Sequence, residues 1–246
     1  MAAAFFMNTS QKTTTIIAPA TPKGNGALAL IRISGDAAFE VINKIFKPVS
    51  KKTGGLRPKL AHLGSIINID GTIIDQVMLT TFAKPKSYTG EDMAEISCHG
   101  STLITGMIID AAIATGAVPA SPGEFTFRAF INGKMDLVQT EAVAALIAAD
   151  TEKAHNAALQ QLDGRLSEQF QYVRKKIMAM LALTETQIDF SEEELPPLNR
   201  DEMALSIRTT LDEINNILST YRHGRIIREG FRVTLLGPPN AGKSSL

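Results

Sequence analysis

The chain has 246 residues, of which 44% are hydrophobic and 20% are charged, enough for one large or two moderate domains with true cores. Lysine plus arginine equals aspartate plus glutamate at 25 each, which excludes a net positive charge that would attract nucleic acid or an acidic membrane. One cysteine, Cys98, excludes an internal disulfide, and no apolar run reaches the roughly 18 residues of a membrane span. We therefore expect a cytoplasmic protein without membrane association, in which an RNA partner needs a local basic patch or a second protein.

Residues 14–134 have the pattern of mixed α and β structure. Thr14–Ala18 and Ala27–Ser34 resemble strands and are separated by a turn rich in proline and glycine. Asp36 is predicted to cap a short helix, and the basic segment Lys47–Lys59 is predicted to be a loop. The apolar positions of that helix would be Phe39, Ile42, Ile45 and Phe46.

The next segment carries a hairpin signal. Asp70-Gly71 separates the apolar arms Ile66–Ile69 and Thr72–Ile74, and it favours the positive φ angles of a type I′ turn. The second arm is predicted to extend through Val77–Leu79. The two arms should pair antiparallel.

A strand over Met93–Cys98 and a helix over Ser101–Ala114 are predicted next, and the helix should end near Gly116. The predicted apolar face of that helix consists of Leu103, Ile104, Met107, Ile108 and Ala111.

After Met135 the apolar period becomes helical, and two long helices separated by the breaker Ser191–Pro197 should form an antiparallel pair. The first apolar stripe is Leu159, Leu162, Leu166, Phe170, Val173, Ile177, Leu181 and Ile188; the second is Ala204, Ile207, Leu211, Ile214, Leu218 and Tyr221. We interpret both stripes as helix core. Because two helices bury one face poorly, we expect further helices from elsewhere in the protein or from a second subunit.

The end of the chain matches a phosphate-binding loop. Phe231–Leu236 is an apolar strand, and Gly237–Ser244 fits the pattern G-x-x-x-x-G-K-S. In this pattern backbone N–H groups surround phosphates, the lysine binds the β and γ phosphates, and the serine hydroxyl binds Mg²⁺. Since such a domain needs more strands and catalytic segments, we expect no nucleotide hydrolysis by the printed chain.

The predicted fold class is therefore α+β. Residues 1–134 form a mixed α/β N-terminal domain, residues 135–230 an incomplete helical domain, and residues 231–246 the start of a truncated P-loop domain.

Four motifs in this order resemble the tRNA modification GTPases of the MnmE (TrmE) type. They are the opening Ala18–Gly35, the segment Gly90–Gly100, the run Pro122–Lys134 and the terminal Phe231–Leu246. The resemblance covers almost the whole chain, from about Thr15 to Leu246. It implies that the N-terminal domain binds folate and dimerises, and that a G domain is inserted in the helical domain.

The resemblance also implies an activity for the full protein. A homodimer would act with an FAD-dependent partner and add a carboxymethylaminomethyl-type group to C5 of the wobble uridine, position 34, of certain tRNAs. The one-carbon unit would come from 5-formyl- or 5,10-methylene-tetrahydrofolate. GTP hydrolysis, with Mg²⁺ and stimulated by K⁺, would drive closure of the G domains.

By motif, the implied folate ligands are Arg32, Glu95 and Lys134. Glu95 shares one strand face with Met93 and Ser97, a costly place for a carboxylate unless it is paired. Such a carboxylate can accept the amino group and ring N–H of a pterin, and the alternative is an ordinary ion pair.

Arg32 follows an apolar run and would clamp a carboxylate such as the glutamate tail of folate, or else would be a protective charge on an edge strand. Lys134 follows the turn Asn132-Gly133, and its alternative is a solvated loop lysine.

The implied GTP ligands are Asn240, Ala241, Gly242, Lys243, Ser244 and Ser245. Ser244 would bind Mg²⁺ and Asn240 would bind K⁺, although Asn240 also suits a turn. Guanine specificity rests on the resemblance.

Two neighbouring pairs have simpler readings. Glu124 and Arg128 are spaced to pair on one helical turn. Cys98 and His99 point to opposite faces of a strand, so a thiolate–imidazole nucleophile is not expected.

Two alternative functions stay open: a folate-dependent protein resembling aminomethyltransferases, and a non-catalytic dimerisation module. The P-loop argues against the first, because such transferases need no nucleotide.

Overall fold

The structure is a computed structural model that describes residues 14–49, 55–189 and 199–229, together with Thr234 and residues 236–238. The chain divides into two compact units, Met1–Asp136 and Leu137–Leu246. The described residues of the first unit form a sheet with three helices, and those of the second form four helices. The predicted α+β class, a mixed α/β part followed by long helices, is confirmed.

A seven-stranded sheet forms the centre of the first unit. Its strands are β1 (Ile16–Pro19), β2 (Gly26–Ser34), β3 (Phe46–Pro48), β4 (Ala61–Ile67), β5 (Ile73–Phe82), β6 (Met93–Gly100) and β7 (Val118–Pro119). They lie in the order β3-β4-β5-β6-β2-β1-β7. All neighbouring pairs are antiparallel except β1 and β7. The strands predicted near β1, β2 and β6 are thereby confirmed, and β2 and β6 are interior strands.

The core lies on one face of this sheet, under the helices α1 (Ala38–Ile45) and α2 (Thr102–Ala114). Because side chains alternate along a strand, β2 and β6 each bury one set and turn the other set to the opposite face. The buried set includes Ala29, Ile31, Ile33, Ala94, Ile96 and Cys98, and it packs against Val41, Ile42, Ile45, Ile108 and Ala111. Each large side chain buried in this way contributes about 1.5–3 kcal/mol. Arg32 and Glu95 belong to the opposite face.

The prediction around Asp36 is wrong in two details. Helix α1 begins at Ala38 without a side-chain cap, and the N–H of Ala37 donates to the Thr15 hydroxyl instead. Asp36 forms an exposed ion pair with Lys84, at 3.4 Å. Phe46 is not helical but begins β3, because its backbone pairs with Ile66 of β4 and its ring is buried. The segment predicted as a loop therefore starts as an edge strand.

The predicted hairpin is confirmed, with β4 and β5 pairing antiparallel, but its turn is not type I′. A type I′ turn needs two positive φ angles, and here Gly71 has φ +86° while Asp70 is not in that region. The Gly71 N–H donates to Asn68 O and the Asn68 N–H to Thr72 O. This is the hairpin form with a three-residue loop, residues 69–71, whose last residue is the left-handed glycine.

Helix α2 is confirmed, but its buried side is rotated from the predicted one. Ile108, Ala111 and Ala112 are buried against the sheet, whereas Leu103 and Met107 are exposed. The helix is apolar on most of its surface, so its periodicity did not define which side packs.

The second unit contains α4 (Leu137–Ile147), α5 (Glu152–Leu162), α6 (Arg165–Asp189) and α7 (Arg200–Glu229). The first predicted long helix is therefore two helices, because Gly164 takes φ +88° and ends the helical path. Helices α6 and α7 contact each other, with Lys176 Nζ 2.6 Å from Glu213 Oε1. The breaker Ser191–Pro197 lies outside the described residues.

The two helical stripes are only partly core among the described residues. Val173 of α6 is buried, whereas Leu181 and Leu218 are 47% and 60% exposed. None of the helices in the described ranges is long and apolar enough to cross a membrane.

At the end of the chain, Thr234 and Leu236 are not in a strand, unlike the predicted Phe231–Leu236. A strand needs neighbouring strands for its backbone hydrogen bonds, and the described part of this unit contains helices and no strand. The rest of the predicted strand, Leu235 and residues 231–233, lies outside the described residues.

Candidate functional site

Arg32 and Glu95 face each other on the two interior strands β2 and β6. Arg32 Nη2 lies 2.6 Å and Nε 3.0 Å from Glu95 Oε1, and each side chain is about one-fifth exposed, at 23% and 21%. The ion pair that the sequence left open as the alternative for Glu95 is therefore present. The edge-strand alternative for Arg32 is wrong, because β2 lies between β6 and β1.

Two aromatic rings flank the guanidinium of Arg32. Its Cζ lies 4.9 Å from the ring centre of Tyr88 and 5.8 Å from that of Phe125, distances at which a cation is attracted to a ring face. Sequence reasoning singled out neither residue as part of the site. For Tyr88 the available signal was an aromatic residue in a polar loop, two positions before the Gly90-Glu91 motif.

Lys134 lies close to the same loop. It follows Gly133, which takes φ +69° after helix α3 (Glu124–Ile131), and its Nζ donates to Pro85 O at 3.1 Å. The structure thus brings Arg32 and Glu95 together and ties Lys134 to the loop that carries Tyr88. The roles of Arg32, Glu95 and Lys134 as folate ligands remain predictions.

A buried cluster of charges lies at α3. The predicted pair is confirmed, since Arg128 Nη2 lies 2.8 Å from Glu124 Oε1. A second carboxylate, Glu91, lies 3.2 Å from Arg128 Nη1 and accepts a hydrogen bond from the Ser34 hydroxyl at 2.8 Å. Sequence reasoning missed Glu91 because it is 37 positions from Arg128 along the chain.

Cys98 and His99 do not form a nucleophilic pair. The Cys98 thiol is buried and donates to Ala29 O, and its burial together with the negative charge of Asp75 raises the pKa of this thiol. His99 is exposed, and its Nδ1 lies 2.7 Å from Asp75 Oδ1. The two residues therefore have separate partners, as their alternation predicts.

The arrangement at Arg32 suits a planar ligand with hydrogen-bond donors on one edge. Both bonds from Arg32 end on Glu95 Oε1, and within the described residues Oε2 has no hydrogen bond. Oε2 can therefore accept a ligand N–H, while the rings of Tyr88 and Phe125 offer apolar faces.

The residues predicted to bind metal ions and nucleotide do not lie in the part of the chain that the structure describes. Among the described residues, no group of three or more His, Cys, Asp or Glu side chains is placed to hold a metal ion. The predicted GTP, Mg²⁺ and K⁺ ligands, Asn240, Ala241, Gly242, Lys243, Ser244 and Ser245, all lie outside the described residues.

Comparison with known proteins gives two family matches. The family model of the GTP-binding protein TrmE N-terminus matches residues 15–134, and that of the MnmE helical domain matches residues 137–240.

Curated relatives agree with these models. Three proteins named tRNA modification GTPase MnmE are 42%, 40% and 43% identical over 94% of this chain, from Chlorobium chlorochromatii, Aquifex aeolicus and Akkermansia muciniphila. The matched region covers 49%, 51% and 51% of those proteins, so the chain spans about half their length.

Proposed function

Because the chain belongs to the family of tRNA modification GTPases called MnmE, we propose that it is the N-terminal part of a protein that hydrolyses GTP and modifies tRNA. In the whole protein, GTP with Mg²⁺ and K⁺ would bind at Asn240–Ser245, through the P-loop chemistry described above. We also propose a cytoplasmic location, because tRNA modification is the activity named for the family.

The tRNA reaction that we propose is modification of the wobble uridine. With an FAD-dependent partner, the protein adds a carboxymethylaminomethyl-type group to C5 of uridine 34, using the one-carbon unit of 5-formyl- or 5,10-methylene-tetrahydrofolate. The four motifs Ala18–Gly35, Gly90–Gly100, Pro122–Lys134 and Phe231–Leu246 support this proposal.

The observation that carries the folate proposal is the Arg32–Glu95 pair flanked by Tyr88 and Phe125. The pterin of a reduced folate presents an amino group beside a ring N–H, which is the donor edge that a carboxylate can accept. The carboxylates of the glutamate tail offer a partner for an ammonium group, and we assign Lys134 to that end because Arg32 is already paired with Glu95 at the pterin end.

We propose that the second copy in a homodimer lies on the open face of the sheet. Leu28, Leu63 and Met78 are 69%, 47% and 41% exposed, and they belong to β2, β4 and β5. Leu63 and Met78 are opposite each other in the sheet, and Met78 is opposite Ser97 of β6. An apolar area on an open sheet face is typical of a protein interface.

Isothermal titration with 5-formyltetrahydrofolate tests the folate site. We expect Glu95→Ala to weaken binding by about 1.5–3 kcal/mol, roughly 10- to 150-fold, since it removes a charged hydrogen-bond acceptor. Glu141→Ala removes an exposed glutamate of α4 and serves as the matched control, with unchanged binding. Equal affinity of the Glu95→Ala variant and the wild type would refute the site.

A further inference from the structure

The connection between β5 and β6, residues 83–92, is fastened to the segment of α3 and its following turn by four polar contacts. We call this connection the β5–β6 loop. The contacts are Tyr88 Oη to Thr126 Oγ1 (3.0 Å), Arg128 Nη1 to Glu91 Oε2 (3.2 Å), Asn132 Nδ2 to Thr89 O (2.8 Å) and Lys134 Nζ to Pro85 O (3.1 Å). Four residues of the loop are therefore each bonded to a residue of α3 or its following turn, and we call this set of contacts the seam.

The buried part of the seam is the Arg128–Glu91 contact. Arg128 and Glu91 are 5% and 9% exposed. Buried charges are tolerated when they are paired and hydrogen-bonded, and here Arg128 also donates to Thr14 O at 2.8 Å. The guanidinium is a rigid fork, so it fixes its partners in direction as well as in distance. Breaking this contact would remove the ion pair between the loop and the helix and leave the three other contacts, which join neutral groups or backbone oxygens.

The two rings near the Arg32 guanidinium belong to the segments that the seam joins, Tyr88 to the loop and Phe125 to α3. Tyr88 precedes Glu91 by three positions in the loop, and Phe125 precedes Arg128 by three positions in α3, on the same side of the helix. Glu91 also accepts from Ser34, which is two residues after Arg32 on β2. One carboxylate thus joins the loop, the helix and the strand that together form the site.

We propose that Glu91, Arg128 and Thr126 are positioning residues for the ligand site at Arg32 and Glu95. They hold Tyr88 and Phe125 against the Arg32 guanidinium, so a planar ligand meets a preformed slot rather than two mobile rings. This inference rests on the folate site proposed above. It adds that the affinity for a reduced folate depends on two buried charges and a threonine hydroxyl that do not touch the ligand.

Two conservative variants test the seam in the full chain. Glu91→Gln keeps the shape and removes the charge, and Thr126→Val removes the hydroxyl partner of Tyr88 at constant shape. Lys84→Ala is the matched control, because Lys84 lies in the same loop but pairs with Asp36 at the surface. The measurements are the affinity for 5-formyltetrahydrofolate, the midpoint of thermal unfolding, and amide hydrogen exchange across residues 83–92.

We expect Glu91→Gln to weaken binding by about tenfold or more, at the lower end of what supporting residues contribute at metal sites. Thr126→Val should weaken binding severalfold with an unchanged unfolding midpoint, which a merely structural role would not produce. Both variants should speed amide hydrogen exchange at residues 85–91. Lys84→Ala should change neither the affinity for 5-formyltetrahydrofolate nor the exchange rates.

Wild-type affinity in Thr126→Val and in a folded Glu91→Gln would overturn the inference, and Thr126→Val alone decides it if Glu91→Gln does not fold. If the wild type does not bind 5-formyltetrahydrofolate, the proposed function is wrong instead. In that case the exchange data decide the positioning role, since unchanged exchange at residues 85–91 in both variants would contradict it.

Discussion

Glu95 lies on an interior strand, and its side chain is paired with the Arg32 guanidinium directly opposite. Both bonds from Arg32 end on Oε1, so the second oxygen keeps its capacity to accept a hydrogen bond. A ligand that adds a donor at Oε2 need not break the ion pair, which avoids leaving either charge unpaired. The pair is thus both a structural contact and a prepared acceptor.

Asp70 is a residue whose charge should make stability depend on pH. Its carboxylate accepts bonds from the side chain and the N–H of Thr72, and these lower the pKa of Asp70 below its ordinary value of 3.8. A lowered pKa means that the stabilisation is present above the unfolded-state pKa and is lost as pH falls through the folded-state pKa. The contribution should therefore fade in the acid range below about pH 4.

Thermal unfolding of wild type and Asp70→Asn between neutral pH and pH 2 measures this effect. We expect the variant to unfold at a lower temperature at pH 7, with the gap closing in acid. Asp110→Asn, at an exposed position of α2, is the control. A gap that stays constant down to pH 2 would show that the Asp70 charge contributes nothing.

At the level of single residues, the sequence indicated Arg32 and Glu95 through their motifs but not their mutual contact. The two are 63 positions apart, and their meeting depends on the register of β2 against β6, which local pattern does not fix. Glu91 and Tyr88 were missed for the same reason, since their partners come from α3. The Glu124–Arg128 pair was predictable because both ends lie on one helical turn.

Among the structural elements, the contact of β3 with β4 depends on a glycine. A Cβ at Gly64 would overlap the buried ring of Phe46 and the backbone oxygen of Lys47. We expect Gly64→Ala to lower the free energy of unfolding by roughly 1–3 kcal/mol, the range for overpacking a core. Chemical denaturation measures it.

Gly106→Ala is the matched control for this substitution. Gly106 lies inside α2, and a Cβ there meets nothing within 4 Å. The change should raise the free energy of unfolding by about 0.5–1 kcal/mol, because alanine favours the helical backbone. A Gly64→Ala variant at least as stable as the wild type would contradict the packing of Phe46 on Gly64.

Sequence periodicity did not predict where one of the long helices is interrupted. The stripe from Leu159 to Ile188 keeps helical spacing across the break between α5 and α6, so the break at Gly164 left no trace in it. The hairpin at Asp70-Gly71 was predicted because its signal is local. The form of its turn was not, because it depends on the φ angle of Asp70, which tolerates either region.

At the scale of the whole molecule, the first unit carries its own sheet and core. We expect residues 1–136 alone to fold and to sediment as a dimer through the exposed face that contains Leu63 and Met78. Met78→Glu should convert this dimer to a folded monomer, since it places a charge in an apolar contact. Glu40→Ala, at an exposed position of α1 in the same fragment, should leave the dimer unchanged.

Sedimentation velocity with circular dichroism measures both properties. A wild-type fragment that is folded and monomeric at micromolar concentration would contradict dimerisation through this unit. A Met78→Glu fragment that remains dimeric would place the interface elsewhere on it.

NMR titration of the isotopically labelled chain with 5-formyltetrahydrofolate shows whether a reduced folate binds at the Arg32–Glu95 pair. We predict that the largest shift changes occur at the amides of Arg32, Tyr88, Glu95 and Phe125. The amide signals of α4 to α7 should not shift, and Glu95→Gln should reduce the shift changes that the ligand causes. Changes confined to the helical unit, or no changes at millimolar ligand, would show that the folate does not bind at this pair.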